Sequence, residues 1–414
     1  MNERHPTNHT NVMSEQKHPL SAYSLSKSRV LEQIGHHGLL MLLFAYMTTD
    51  TIQMTSDIAI RVYESTLILI LFSGILGGFL GDFFFSNKKC IFFGVHFQAA
   101  GAALLAISLS ATLYPGLFLL VLGSGLYTPN IIASYGKLYF NNTKIMDAGF
   151  TLFYVATILG SFVGVLAIGY ITEIFGYQTA FLICSVLILS SITPVIISSK
   201  YPDPDIDLTT MMKKKPINGA KVISAMILVG IFWGVYEIAY LPILSINLGL
   251  DQLHSIFFFQ ADWQTLSQIF SILLGVIAAF VWLYIYNRQV IKIIVSFVLA
   301  GVALTTLFFI PESSTSNHLP FYIISALCLS IAQIHIIPIV YSVITKYANP
   351  KYLTIMISLI FIPSKVTSVF FEFLNQRFYE AKSIGLIFGI SVAAIVSLAL
   401  LIYWQKSRKL PTSG

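Results

Sequence analysis

The chain has 414 residues, of which 56% are hydrophobic and only 10% are charged, and its formal net charge is +6. Soluble domains carry about 25% charged residues, so this composition excludes a soluble protein and indicates an integral membrane protein. The basic residues lie in short loops between apolar runs, a pattern that sets membrane orientation and argues against a nucleic-acid groove. The three cysteines are isolated in the sequence, so we expect neither a disulfide framework nor a metal site, and we expect no cofactor.

Twelve apolar runs follow one another along the chain, each near the length of about twenty residues that a helix needs to cross a bilayer. They fall at 29–49, 64–85, 90–111, 116–138, 149–172, 177–198, 220–247, 262–286, 290–310, 320–345, 353–376 and 383–404. This pattern predicts an all-α integral membrane fold of about twelve transmembrane helices in two six-helix bundles. The predicted domains are a disordered cytoplasmic tail (1–26), an N-terminal bundle (27–198), a cytoplasmic linker (199–219), a C-terminal bundle (220–405) and a basic cytoplasmic tail (406–414).

The distribution of lysine and arginine predicts the orientation, because loops rich in these residues stay in the cytoplasm. With twelve spans, the outside holds only Arg61, Arg377 and Lys382, and Lys365 lies within the membrane. All other basic residues fall on the opposite side. We therefore expect a multi-pass protein of the plasma membrane, the inner membrane in a bacterium, with both termini in the cytoplasm.

The first predicted helix carries a polar stripe. Residues three and four apart share a helix face, so Arg29, Glu32 and His36 lie on one stripe, with Gln33 and His37 beside it. Ionisable groups that face lipid are costly, so this stripe should face protein or a water-filled cavity. A buried polar stripe in a membrane bundle is a candidate functional site.

A glycine-rich segment closes the second predicted helix. Gly77-Gly78-Phe-Leu-Gly-Asp82 is followed by Lys88 and Lys89. Glycines allow helices to approach closely, and the charges can bond helix ends in one conformation and release them in another. The segment resembles the loop motif of the major facilitator superfamily, which makes Gly78, Asp82, Lys88 and Lys89 candidate gating residues. The alternative is a turn whose charges only set orientation.

Three further stretches resemble the proton-coupled oligopeptide transporters, a family within that superfamily. They are Glu32-Gln-Ile-Gly-His-His-Gly38, Gly123-Ser-Gly-Leu-Tyr-Thr-Pro-Asn130 and Asp147-Ala-Gly-Phe-Thr-Leu-Phe-Tyr154. The resemblance runs from about Glu32 to Thr354. It implies the major facilitator fold, with two bundles that rock around a central site, and proton-driven uptake of di- or tripeptides.

The chain also departs from the family pattern where charge matters. Family acids or bases are replaced by Arg29 and Gln33 in the first helix, Thr128 in the fourth and Gln333 in the tenth, and Ile158 replaces a fifth-helix asparagine. The resemblance leaves Glu237 to face an amine end of the substrate, together with Glu32 and Asn130. A carboxylate end loses its usual cations, which an amide or hydroxyl replaces poorly.

These comparisons give two sets of candidate residues. Substrate binding is assigned to Glu237, Asn130, Gln33, Gln333 and Lys365. Proton coupling is assigned to Glu32, His36 and His37, because histidine titrates near neutral pH; two ordinary core histidines are the alternative. Lys365 lies near mid-membrane, and we expect it to supply the missing cation. The alternative is that its side chain extends to the membrane interface.

The sequence therefore favours a secondary active transporter of di- or tripeptides or a related amine-bearing solute, driven by protons. A transport-deficient ligand sensor on the same fold and a transporter of a non-peptide metabolite are the alternatives. No nucleophile–base pair or phosphate-binding loop is visible, so we do not expect an enzyme. The expected partners are a small solute, protons and the bilayer, with no nucleic acid, and the expected state is a monomer.

Overall fold

The computed structural model describes residues 17–201, 217–244, 263–285, 288–311, 316–363, 365–366 and 382–409, apart from the side chains of 237–244, 263–265, 316, 382–383 and 409. Twelve α-helices are labelled in chain order. They are α1 Leu20–Met47, α2 Ser56–Phe83, α3 Asn87–Ala106, α4 Ser110–Lys137, α5 Met146–Ser190, α6 Ile192–Ser198, α7 Gly219–Leu244, α8 Trp263–Tyr284, α9 Gln289–Phe308, α10 Leu319–Tyr347, α11 Leu353–Ser358 and α12 Lys382–Lys409. Short 3₁₀ segments lie at Ser316–His318, Pro350–Tyr352 and Leu359–Phe361. The described ranges contain no β-strand.

The longest helix, α5, contains two membrane spans. Gly176 interrupts it with a φ of 78°, a backbone conformation that suits glycine and strains other residues. The helix therefore has a first arm before Gly176 and a second arm after it, and α6 continues the second arm. These arms correspond to the fifth and sixth predicted spans.

The predicted all-α membrane fold is confirmed, and the chain is a multi-pass membrane protein. In the described ranges, nine helical runs are long and apolar enough to cross a bilayer, and one of these runs, Met146–Ser198, holds both arms of α5. Helix α1 has the length but is too polar to count among the nine, and the start of the eleventh predicted span appears as a short apolar helix, Pro350–Phe361. Twelve spans is therefore an approximate number.

Helix α1 begins at Leu20, so the predicted tail of 1–26 is seven residues too long. This segment is polar in sequence, but Ala22 and Leu25 are buried because the start of α1 packs against α6. At the other end of the chain, α12 continues to Lys409, past the predicted boundary at 405.

Contacts also fix the residues just before α1. The Tyr139 hydroxyl lies 3.0 Å from Nδ1 of His18. Burial lowers the pKa of the His18 ring, which favours the neutral imidazole at this position. The chain is thus anchored to the end of α4 before it enters the bundle.

Glycines let α1 pack tightly against α5. A Cβ built on Gly160 would lie 2.6 Å from the carbonyl oxygen of Val30, and one on Gly164 would lie 2.5 Å from that of Ile34. Small residues permit such close approach of membrane helices. The polar face of α1 is therefore held against the first arm of α5.

The helices before the linker contact those after it at several places. Helix α2 packs against α11, α4 contacts α10 and α11, and α5 packs against α8 and α10. Helices α7, α9, α10 and α12 pack among themselves. The predicted linker of 199–219 falls between the end of α6 and the start of α7, and its residues 202–216 lie outside the described ranges.

Two glycines on α2 allow a matched test of how α2 packs against α4. A Cβ on Gly77 would overlap the carbonyl group of Gly125 on α4, whereas a Cβ on Gly74 has no atom within 4 Å. Overpacking costs about 1–3 kcal/mol, so we expect Gly77→Ala to lower the thermal unfolding temperature of the purified protein in detergent. Gly74→Ala should leave it unchanged or raise it. Equal unfolding temperatures for the two variants would contradict the observed α2–α4 contact.

Candidate functional site

A buried ion pair lies near the middle of α1. Nη1 of Arg29 donates to Oε2 of Glu32 at 2.9 Å, and Nε2 of Gln33 donates to the same oxygen at 2.9 Å. Glu32 is 0% exposed and Arg29 is 7% exposed. The stripe predicted from helical spacing is therefore observed, and its two charges neutralise each other.

Side chains from two other helices complete this polar cluster. Arg29 donates through Nε to Oγ1 of Thr157 at 3.4 Å and through Nη1 to Oγ1 of Thr128 at 3.5 Å. Oε1 of Gln33 accepts a hydrogen bond from Ser161 at 2.9 Å. The stripe therefore faces α4 and α5 and not lipid. We refer to Arg29, Glu32, Gln33, Thr128 and Thr157 as the α1 cluster.

Several buried polar atoms beside the α1 cluster have no hydrogen-bond partner in the described part of the chain. They are Oε1 of Glu32, Nδ1 of His36, Nδ1 of His37 and both amide atoms of Gln98. The two imidazole rings are edge-on, with centroids 5.7 Å apart. Buried polar atoms are normally paired, so these atoms have unused capacity to bind a proton or a polar solute. Gln98, on α3, was not found by sequence reasoning, because a lone amide in an apolar run gives no signal.

The loop motif joins α2 to α11. The Asp82 carboxylate accepts hydrogen bonds from the backbone N–H groups of Thr354 at 3.3 Å and Ile355 at 2.9 Å. A carboxylate at a helix N-terminus is favoured by the helix dipole. A Cβ on Gly78 would lie 2.8 Å from Oγ of Ser358, so this glycine allows the helices to meet. We call this contact the α2–α11 clasp.

Asn130 belongs to the same clasp. Its Oδ1 accepts from Asn87 at 2.8 Å, and its Nδ2 donates to the carbonyl groups of Gly77 at 3.0 Å and Leu126 at 2.8 Å. Asn87 also donates to Oγ1 of Thr354 at 2.9 Å. Asn130 is fully buried with its amide engaged, so in this conformation it holds helices together and is not grouped with the α1 cluster.

A second contact, the α5–α9 clasp, was missed by sequence reasoning. Lys292 and Asp147 form an ion pair of 2.5 Å, and both are buried. Gln289 donates to Oδ1 of Asp147 at 2.9 Å, and Ser342 on α10 donates to the same oxygen at 2.5 Å. The signal in the sequence was Lys292, a lysine inside the apolar run 290–310.

The structure describes the remaining predicted residues to different extents. The side chain of Glu237 lies outside the described residues. Gln333 is half-buried on α10 and Lys365 is exposed, and neither is bonded to a described side chain. Lys88 and Lys89 are exposed at the start of α3. The binding and gating roles of these residues stay predictions. In the described part of the chain, no three His, Cys, Asp or Glu side chains are close enough to hold a metal ion.

Comparisons with known proteins agree with this architecture. A family model described as Major Facilitator Superfamily matches residues 38–371. Dipeptide and tripeptide permease A of Cronobacter turicensis is 29% identical over 191 residues, which is 46% of this chain and 38% of that protein. The uncharacterized transporter YclF of Bacillus subtilis is 27% identical over 169 residues, 40% of this chain and 34% of that protein. The matches thus span well under half of the length of these relatives.

Solved structures resemble nearly the whole chain. A POT family transporter in complex with a thioalcohol conjugated peptide superposes with a TM-score of 0.64 at 17% identity, covering 94% of this chain and 97% of that one. The POT family transporter PepTSo gives a TM-score of 0.60 at 16% identity, covering 95% and 99%. At this level of identity the likeness concerns the fold alone.

A double-mutant cycle tests the buried ion pair. Arg29→Gln or Glu32→Gln alone leaves one buried charge unpaired, which costs about 3–5 kcal/mol, so each should lower the unfolding temperature in detergent. The double variant should be more stable than either single variant, because no unpaired charge remains. Lys27→Gln, at an exposed position of the same helix, is the control and should have no effect. Additive losses in the double variant would show that the two charges do not interact.

Cysteine labelling tests the α2–α11 clasp. Thr345 is fully buried against Gly136 of α4, so a thiol in its place should label slowly while the clasp is closed. In a background without native cysteines, Asp82→Asn should speed maleimide labelling of Thr345→Cys about tenfold, the effect of losing about 1.4 kcal/mol of charge-assisted hydrogen bonding. The exposed Asp57→Asn, at the other end of α2, is the matched control. An unchanged rate in Asp82→Asn would mean that this carboxylate does not hold the helices together.

Proposed function

The chain belongs to the Major Facilitator Superfamily, and from this premise we propose that it is a secondary active transporter of a small amine-bearing solute. A di- or tripeptide is the first expected substrate, and protons are the expected driving ion. The observation that carries the proposal is the buried α1 cluster, an ion pair held inside the protein on a helix with unpaired polar atoms beside it. In membrane spans such groups mark solute and proton pathways.

Within the superfamily, we propose membership of the proton-coupled oligopeptide transporters. The motif resemblances support this, as does the likeness to dipeptide and tripeptide permeases and to POT family transporters.

The α1 cluster suggests how a proton and a carboxylate-bearing solute could share one site. While Glu32 is ionised, it holds the guanidinium of Arg29. Protonation of Glu32 removes the charge that holds Arg29, which then can bind a substrate carboxylate. Arg29 thereby takes over the cationic role that the sequence comparison assigned to Lys365, and Lys365 stays a second candidate.

His36 and His37, with Gln98 beside them, offer a route for the proton to Glu32. Nδ1 of His36 and of His37 and Oε1 of Glu32 are buried and unpaired in the described part of the chain, and they are carried on one helix at consecutive turns. We propose that the two imidazole rings pass the proton to Glu32, because a ring nitrogen can both accept and donate a proton.

The two clasps supply the conformational part of the mechanism. Both join helices that precede the linker to helices that follow it, and both consist of polar bonds that water can replace when they open. Rocking of the bundles around a central site requires contacts of this kind at one end. The clasps lie at the end that positive charge assigns to the cytoplasm, so this conformation is closed on that side.

A ligand sensor without transport is the rival function, and the departures from the family's charged residues favour it. A transporter of a non-peptide metabolite is the second rival. We further propose a monomer in the plasma membrane, the inner membrane of a bacterium, with both termini in the cytoplasm and no enzymatic activity.

The role of Glu237 is tested by uptake. Glu237→Gln should abolish proton-driven uptake of radiolabelled dialanine into proteoliposomes while leaving expression intact, since an amide cannot pair with the substrate ammonium. Glu173→Gln, at an exposed position on α5, should keep full uptake. Full uptake by Glu237→Gln would remove this residue from the site.

The same assay separates the transporter from the sensor. If the protein is a sensor, dialanine should raise its unfolding temperature, but neither the unmodified protein nor any variant should show flux of dialanine. Flux of dialanine that rises with an inward proton gradient supports the transporter; stabilisation without flux contradicts it.

A further inference from the structure

A cavity of about 940 Å³ lies at the end of the molecule that lysine and arginine assign to the cytoplasm. Its walls come from the loop before α5, the first turns of α7 and α9, and the last turns of α8, α10 and α12. It adjoins the α5–α9 clasp, but most of its lining plays no part in that contact or in the proposed transport site.

The lining of this cavity carries far more positive than negative charge. Among the described residues that line it, the cations are Lys144, Lys221, Arg288, Lys292 and Lys346, and the one acid is Asp147. Asp147 is already engaged by Lys292, Gln289 and Ser342. Four cations therefore share one cavity whose described lining holds no free carboxylate, and their mutual repulsion favours an anion.

The positions of the cations converge on one side of the cavity. Nζ of Lys221 lies 4.2 Å from the centre of the Tyr347 ring, and Nζ of Lys346 lies 5.6 Å from the same ring. Arg288 is the N-cap residue of α9, and Lys221 lies in the first turn of α7. The positive ends of two helix dipoles thus add to the potential of the side chains. Lys144, Lys221 and Lys346 form no ion pair within the described part of the chain.

The rest of the lining is apolar or aromatic and reaches the outer surface. Leu228, Trp282 and Leu400 line the cavity, and so does Tyr403, which is 54% exposed on α12. Basic pockets that lie between membrane helices at the cytoplasmic interface suit lipid headgroups, since the phosphate meets the cations and the acyl chains continue along the apolar wall.

We propose that this cavity binds the phosphate group of an anionic phospholipid from the cytoplasmic leaflet. Such a headgroup would bridge Lys144, before the linker, to Lys221 and Lys346, after it. Because it would tie the two halves together beside the α5–α9 clasp, the bound lipid stabilises the conformation that is closed on the cytoplasmic side.

Lipid binding to the purified, delipidated full-length protein tests the proposal without reference to transport. Native mass spectrometry should show tighter binding of dioleoyl phosphatidylglycerol than of dioleoyl phosphatidylcholine. Lys221→Gln/Lys346→Gln should weaken phosphatidylglycerol binding about 30-fold, at about fivefold for each lysine near an anionic headgroup. Lys27→Gln/Lys406→Gln, which removes the same charge at exposed positions outside the cavity, should bind as the unmodified protein does.

A charge-preserving variant and inorganic phosphate serve as two further controls. Lys221→Arg/Lys346→Arg should fold and retain binding, because it preserves the charge. Inorganic phosphate without lipid should give little thermal stabilisation. Equal phosphatidylglycerol binding by the two glutamine variants would overturn the proposal. Stabilisation by inorganic phosphate that depends on Lys221 and Lys346, with no preference between the two lipids, would overturn the lipid as occupant and assign a soluble phosphate compound instead.

Discussion

The buried ion pair between Arg29 and Glu32 is the interaction on which the rest of this account depends. Two charges placed near the middle of a membrane helix must be paired or must face water, because hydrocarbon solvates neither. Here they are paired three residues apart on α1 and are supported by hydroxyl groups of Thr128 and Thr157 on two neighbouring helices. The glycines that draw α5 onto α1, such as Gly160, bring the hydroxyl group of Thr157 within reach. We propose that this neutral pair, which one proton could split, is the site of proton coupling.

Closure of the end that carries the two clasps depends on charge in a different way. Asp82 binds the backbone at the start of α11, and Asp147 binds Lys292 across the two halves of the chain. In each clasp one acid is satisfied by groups that belong to the other half. If the clasps open, these groups would meet water, which can replace the lost bonds and so limit the free energy that opening costs. An anionic headgroup in the adjacent basic cavity would shift that balance towards the closed state.

The sequence predicted those features that depend on local spacing. Helical periodicity correctly put Arg29 and Glu32 on one stripe, and the apolar runs predicted a membrane fold whose helices the structure describes over most of the chain. Contacts between distant residues were missed: Lys292 was treated as an orientation signal, although its partner lies 145 residues away. Asn130 was grouped with the substrate site because helix position alone does not tell which neighbour an amide meets. The early start of α1 at Leu20 depends on packing against α6, which polar composition hides.

The most direct test of the central claim compares two modes of transport in Glu32→Gln proteoliposomes. If protonation of Glu32 is what releases Arg29, this variant mimics the protonated state permanently. It should then exchange radiolabelled dialanine for unlabelled dialanine across the membrane but fail to accumulate it under an inward proton gradient. The unmodified protein should do both. Accumulation by Glu32→Gln at the rate of the unmodified protein would contradict the role of the Arg29–Glu32 pair in proton coupling.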